Sequence, residues 1–88
     1  MEYEIKGGKG HIIEYYLDGK LEFEGDYLNG EKNGKGKEYN DDGELIFDGE
    51  YLNGKRKGKG KEYDSNGKLK FEGNYLNGKK WLNWKKIK

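Results

Sequence analysis

Polar and apolar residues alternate along most of this chain, and the alternation returns in phase. Leu21, Phe23, Gly25 and Tyr27 occupy every second position, as do Leu45, Phe47, Gly49 and Tyr51, and again Leu69, Phe71, Gly73 and Tyr75. A period of two is that of a strand with one inward face. Between these runs stand two sets of turn signals: Asn29-Gly30, Asn53-Gly54 and Asn77-Gly78, then Asp18-Gly19, Asp42-Gly43 and Asn66-Gly67. Both dipeptides favour type I′ turns, whose central residues need positive φ and whose twist suits paired strands. The turn glycines lie alternately 11 and 13 residues apart. That spacing predicts an all-β fold, an antiparallel meander of about eight strands in a single elongated, twisted sheet. Helix is disfavoured, because each of the sixteen scattered glycines costs about 1 kcal/mol in a helix interior.

The pattern is a repeat of 24 residues. Glu31 to Gly54 aligned on Lys55 to Gly78 gives 14 identities in 24 positions. A period of this size marks a stack of one supersecondary unit, here a β-hairpin repeat array, in which each copy buries its apolar side against its neighbours. Such arrays offer an extended surface, which favours binding or scaffolding over catalysis in a cleft.

A two-residue loop at Asn53-Gly54 predicts a register. It sets Glu50 opposite Lys57, Asp48 opposite Lys59, Phe47 opposite Gly60 and Gly49 opposite Gly58; the preceding hairpin sets Glu24 opposite Lys35, Glu22 opposite Lys37 and Phe23 opposite Gly36. One face then collects rings over glycines, and the other collects opposite charges. The same register puts Glu38 on the ring face between Leu21 and Phe47.

Composition narrows the class further. At 88 residues the chain is one domain, 1–88, able to bury only roughly 60% of its unfolded surface. Hydrophobic residues make up 31% and charged residues 40%, yet aromatics reach 15% with eight Tyr. Rings therefore replace aliphatics as the apolar cement. The net charge of +1 gives no global field for nucleic acid or acidic membrane. With no Cys there is no disulfide or thiolate site. No apolar run has the length of a signal or membrane-spanning segment, so the expectation is a cytoplasmic protein.

The ends depart from the repeat. Residues 1–14 read as a degenerate N-terminal cap, with Tyr3 in phase with Tyr27 and a Gly7-Gly8 turn placing Ile5 over Gly10; residues 15–78 are the repeats, and 79–88 a C-terminal capping strand. There Leu82 and Trp84 replace the repeat's glycines, with Trp84 opposite Phe71, while Lys85, Lys86 and Lys88 guard the edge.

FEGDYLNGEKNGKGKEY and FDGEYLNGKRKGKGKEY resemble the MORN repeat: an aromatic-x-Gly-x-aromatic strand, an Asn-Gly-type turn, then Gly-x-Gly. The resemblance covers roughly Tyr15 to Lys80 and extends to the bacterial variant of the repeat. The copies here are about one residue longer, and Ile12 stands where Gly36 stands in the next copy. The resemblance implies an elongated hairpin stack serving as a protein-binding scaffold, with no catalytic residues and no cofactor to carry over.

Several residues are candidates for chemistry. Glu14, Glu38 and Glu62 recur in phase; a carboxylate among rings can have a raised pKa and act as acid or base, but the plainer role is to accept hydrogen bonds from Tyr hydroxyls. Lys55 to Lys61, KRKGKGK, resembles a patch for nucleic acid or phosphoinositide, although alternation splits it between faces. Gly34-x-Gly36 and Gly58-x-Gly60 lack the following helix a phosphate cradle needs. One His and one Ser, without Cys or Thr, assemble neither a nucleophilic triad nor a His-based metal site. Tyr39 and Tyr63 fall beside Lys37 and Lys61 on the charge face, with Tyr15 in phase; Tyr39 otherwise packs on a neighbour such as Ile46. Tyr15, Tyr39, Tyr63, Lys37 and Lys61 are the candidate binding surface. The reading is a non-enzymatic module that binds another protein, as an adaptor or as an inhibitor occluding a partner's site. The alternative is a nucleic-acid or anionic-phospholipid module using the Lys and Tyr columns.

Overall fold

Residues 2–6 and 8–81 are described by the structure, a computed structural model. Strands β1 (Glu2–Lys6), β2 (Lys9–Tyr15), β3 (Leu21–Leu28), β4 (Glu31–Tyr39), β5 (Leu45–Leu52), β6 (Lys55–Tyr63), β7 (Leu69–Leu76) and β8 (Lys79–Lys80) follow one another. All pair antiparallel with their sequence neighbours in one eight-stranded sheet. There is no helix among the described residues. The molecule measures 46 × 33 × 14 Å, and the short dimension leaves room for one sheet and its side chains only.

The two margins of the sheet close differently. At the Asn-Gly margin, Asn29, Asn53 and Asn77 have φ of 50°, 52° and 53°, and Gly30, Gly54 and Gly78 have φ of 87°, 84° and 85°. Two successive left-handed residues make the expected type I′ turn. At the other margin the expected two-residue turn is corrected to a three-residue loop. Asn40 and Glu44 pair there, its N–H donating to the Glu44 carbonyl at 2.9 Å, and only Gly43 takes positive φ. In two of the three loops the residue before the loop supports this. The Asn40 side-chain oxygen accepts from the Asp42 and Glu44 N–H groups at 2.9 and 3.0 Å, and Asp64 does the same for Asn66 and Lys68 at 2.8 and 3.0 Å. Such short-range capture organises a type I turn followed by a left-handed Gly.

The predicted register holds next to the Asn-Gly turns and fails beyond them. Leu52 faces Lys55 and Tyr51 faces Arg56, but then the partners shift by two: Gly49 faces Gly60, Asp48 faces Lys61, and Phe47 faces Glu62. The preceding hairpin repeats the shift, with Gly25 opposite Gly36, Glu24 opposite Lys37 and Phe23 opposite Glu38. The expected pairs Asp48–Lys59, Glu50–Lys57, Phe47–Gly60, Gly49–Gly58, Glu24–Lys35, Glu22–Lys37 and Phe23–Gly36 are therefore replaced, and Glu38 lies between Phe23 and Phe47 rather than Leu21 and Phe47. The cause is a bulge in β4 and β6, where Gly34 and Gly58 adopt φ of 108° and 82°. A Cβ on Gly58 would sit 2.7 Å from the Glu50 carboxylate oxygen. A shift of two preserves the parity of the strand, so Phe47, Gly49 and Tyr51 and their repeat equivalents stay on the predicted ring face. The leucines do not: a further shift of one residue pairs Leu21, Leu45 and Leu69 with Tyr15, Tyr39 and Tyr63 of the opposite face.

At the N-terminal end Ile5 faces Gly10 and Tyr3 faces Ile12 in the backbone pairing. The capping roles assigned to Leu82, Trp84, Lys85, Lys86 and Lys88 lie outside the described residues.

Candidate functional site

The ring face is a continuous ladder. Tyr27, Phe23, Tyr51, Phe47, Tyr75 and Phe71 meet edge to face in that order, with centroid separations of 6.0, 5.5, 5.7, 5.2 and 5.6 Å. Phe47 has no exposed surface although it lies on a single-layer sheet. Its floor is glycine: a Cβ on Gly49 or Gly60 would fall 2.6 or 2.7 Å from the ring. Tyr51 and Tyr75 form its walls, and the Arg56 guanidinium is its roof, 3.9 Å above the centroid. Lys32 covers Phe23 at 4.2 Å and Lys80 covers Phe71 at 4.8 Å. Cations over ring faces gain from the quadrupole while keeping contact with water.

Glu14, Glu38 and Glu62 serve this ladder. Tyr27 donates to Glu14 at 3.0 Å, Tyr51 to Glu38 and Tyr75 to Glu62. Arg56 grips Glu38 at 2.9 Å and reaches Glu62 at 3.4 Å, and Lys80 meets Glu62 at 3.3 Å. Burial pushes the Glu38 carboxyl up, but the Arg56 and Tyr51 hydrogen bonds outweigh it, and the net shift is downward. Glu62 moves down for the same reasons, through Tyr75 and Lys80. Both stay ionised at neutral pH, so they act as hydrogen-bond acceptors rather than as a neutral acid. Burial and the carboxylate partner raise Tyr27 to about 12, and raise Tyr51 and Tyr75 beyond that. Lys32 and Lys80 are absent from the sequence-based candidates, and Arg56 stands among them only as a member of the KRKGKGK patch. Their signal is the 24-residue spacing in phase with Phe23, Phe47 and Phe71, and it also removes Arg56 from the KRKGKGK patch.

The five candidate binding residues sit elsewhere. Tyr15, Tyr39 and Tyr63 face Leu21, Leu45 and Leu69 across the last rungs before the three-residue loops. In the register Tyr39 pairs with Leu45, and Ile46 is the extra residue of the shift beside it. That extra residue belongs to β5, so alternation along β4 keeps Tyr39 on the side of Lys37, and Tyr63 likewise stays beside Lys61. Tyr15 is 38% exposed and Leu69 52%, while Tyr39 and Tyr63 are half-buried. Lys37 stands between Glu24 and Asp48, and Lys61 between Asp48 and Glu72. Among the described residues, none of these in-register pairs closes to an ion pair within 4 Å. On the same face His11 bonds Glu24 at 3.0 Å and Asp26 at 3.4 Å, and these bonds raise its pKa. No group of three or more His, Asp or Glu among the described residues is placed to hold a metal ion. No helix of the structure is long and apolar enough to cross a membrane.

Glycine floors, ring walls and Asn-Gly turns on a 24-residue period define a hairpin-repeat protein of the open-sheet kind. The family model for the MORN repeat variant matches residues 9–29 and 56–77, and that for the MORN repeat matches residues 23–44. Together they span more than half of the chain, which belongs to the MORN repeat family. MORN repeats are binding and scaffolding modules. A search of curated proteins gave no match.

Proposed function

We propose that this chain is a non-catalytic module that binds another protein through the face bearing Tyr15, Tyr39, Tyr63, Lys37 and Lys61, as an adaptor or as an inhibitor that occludes its partner. The observation that carries the reading is the row of Tyr–Leu rungs along one margin, Tyr15–Leu21, Tyr39–Leu45 and Tyr63–Leu69. Partly covered rings beside aliphatics, flanked by lysines, have the make-up of a protein interface. The adjoining Lys37 and Lys61 side chains supply a charged rim. The test is capture of partners from native lysate by the full chain, followed by identification of protein and nucleic acid. Tyr39→Ala with Tyr63→Ala is expected to abolish capture, and Lys37→Gln with Lys61→Gln to weaken it less.

A second reading, a nucleic-acid or anionic-phospholipid module, draws support from the same lysines, which are exposed and close no ion pair among the described residues. It predicts the opposite ranking of the two variants and a steep loss of affinity with salt, because phosphate contacts release counterions.

A further inference from the structure

The Asn-Gly margin, opposite the tyrosine row, has the features of a second surface. Its outermost rungs are Leu28–Glu31, Leu52–Lys55 and Leu76–Lys79, and the next are Tyr27–Lys32, Tyr51–Arg56 and Tyr75–Lys80. Five of the six residues on the return strands are cations. Arg56 and Lys80 are committed to the ladder carboxylates, whereas among the described residues Lys55 and Lys79 meet no carboxylate within 4 Å. Beside them Leu52 is 40% exposed, Leu76 47% and Trp81 50%. The loops of the far margin are acidic on balance, with Asp18, Asp41, Asp42, Glu44 and Asp64 against Lys20 and Lys68, the excess lying in the middle loop. A net charge of +1 thus conceals a polarised molecule, basic and apolar at one end.

The margin is also rigid. The Gly54 N–H donates to the Lys32 carbonyl at 2.9 Å, and the Gly78 N–H to the Arg56 carbonyl at 3.0 Å, so each turn is fastened to the one before it. A pre-ordered ledge loses little conformational freedom on binding. Successive turns stand two strands apart, about 10 Å, close to one turn of a polyproline II chain, whose three residues per turn bring every third side chain to the same side. Membrane insertion fits poorly, because the tips that project beyond Leu52 and Leu76 are polar Asn-Gly pairs.

Resting on the protein-binding reading above, we infer that the Asn-Gly margin docks an acidic protein segment with apolar residues at about every third position. Leu52 and Leu76 take its apolar side chains, and Lys55 and Lys79 face its carboxylates. Two surfaces of different chemistry on opposite margins make the molecule an adaptor rather than an occluding inhibitor.

The test uses the full chain and a fluorescein-labelled fifteen-residue peptide of repeated Leu-Glu-Glu, with repeated Gly-Glu-Glu as control, read by anisotropy. The Leu-Glu-Glu peptide is expected to bind about ten-fold or more tightly than the control, and Leu52→Ser with Leu76→Ser, or Lys55→Glu with Lys79→Glu, to remove about ten-fold each. Tyr39→Ala with Tyr63→Ala is expected to bind the peptide as the parent does, with circular dichroism checking that each variant is folded. Equal affinity for the two peptides overturns the inference, as does insensitivity to the margin variants. Binding to phosphatidylserine vesicles that depends on Leu52 and Leu76, without binding to the peptide, replaces it with a membrane surface. Failure of the tyrosine-row reading shows instead in the lysate capture and leaves this peptide measurement unchanged.

Discussion

The two faces of the sheet carry charges at the same period and use them differently. On the ring face Arg56 closes on Glu38 and Glu62, whose side chains are 24% and 15% exposed, and it covers Phe47 as well. On the other face Lys37 and Lys61 have acidic partners on both sides in register, and none of those pairs closes. Half-buried charges gain from reduced screening and from hydrogen bonds that fix their geometry. Exposed cross-strand charges in water contribute about 0–1 kcal/mol per pair and lose entropy when held together. The first set therefore holds the fold, and the second stays available to a ligand. A single-layer sheet gains stability in this way without a second layer, since the cation roofs take the place of an opposing sheet.

Truncating the ladder tests that division most severely. Phe47→Ala should cost about 4 kcal/mol, because a fully covered ring between two tyrosine walls is lost, and urea denaturation is expected to show it mostly unfolded or close to that limit. Filling the floor is milder: Gly49→Ala brings a Cβ within 2.6 Å of the Phe47 ring and 2.8 Å of the Gly60 backbone. Such overpacking should cost about 2 kcal/mol by the same measurement.

Smaller again is Tyr51→Phe, which removes one hydrogen bond to Glu38 and should cost about 1.5 kcal/mol. Its effect depends on pH, with signs that follow from the shifts. Glu38 and Glu62 are lowered when folded, so their contribution is complete above their ordinary pKa of 4.5 and fades as pH falls through the folded values. Tyr27, Tyr51 and Tyr75 are raised, so theirs is complete below 10.0 and fades as pH rises through the folded values. Stability should therefore hold a plateau between about pH 5 and 10, broken by a small step at His11, whose raised pKa adds stability that is complete below 6.5 and is lost as pH rises through the folded value; Tyr51→Phe should have a shallower alkaline decline. The smallest effect is on the open face, where Lys37→Gln should change stability by less than about 0.5 kcal/mol, measured at low and high salt.

Much of this architecture is legible in the chain because its turns are chemically demanding. Asn-Gly at positions 29, 53 and 77 requires two left-handed residues, and a strand alternation between such turns leaves only a meander. The two-residue shift at Gly34 and Gly58 is not legible, because glycine carries no side-chain signal and an even shift leaves the ring face of Phe47, Gly49 and Tyr51 as it was; the one-residue shift that turns Leu21, Leu45 and Leu69 to the tyrosine face leaves no mark in the alternation either. Two of the three-residue loops are fastened by Asn40 and Asp64, which stand outside the Asp-Gly and Asn-Gly pairs that mark the turn, and the loop after Tyr16 closes alike without such a residue. For the site, the phased glutamates point to the tyrosines that bond them. Their cations are harder to see: Lys32 and Lys80 are two lysines among 18 basic residues, and Arg56 stands inside a basic run that suggests an anion patch. Periodicity in phase with Phe47, rather than local charge density, identifies it.

The most direct test of the division between the faces compares Arg56→Gln with the double change Lys37→Gln and Lys61→Gln in urea denaturation at neutral pH. One substitution on the ring face should cost about 2–3 kcal/mol, since it unroofs Phe47 and strips Glu38 of its partner, whereas two on the open face together should cost less than about 1 kcal/mol. Equal losses, or a larger loss from the lysine pair, would contradict the claim that one face holds the fold and leaves the other for binding.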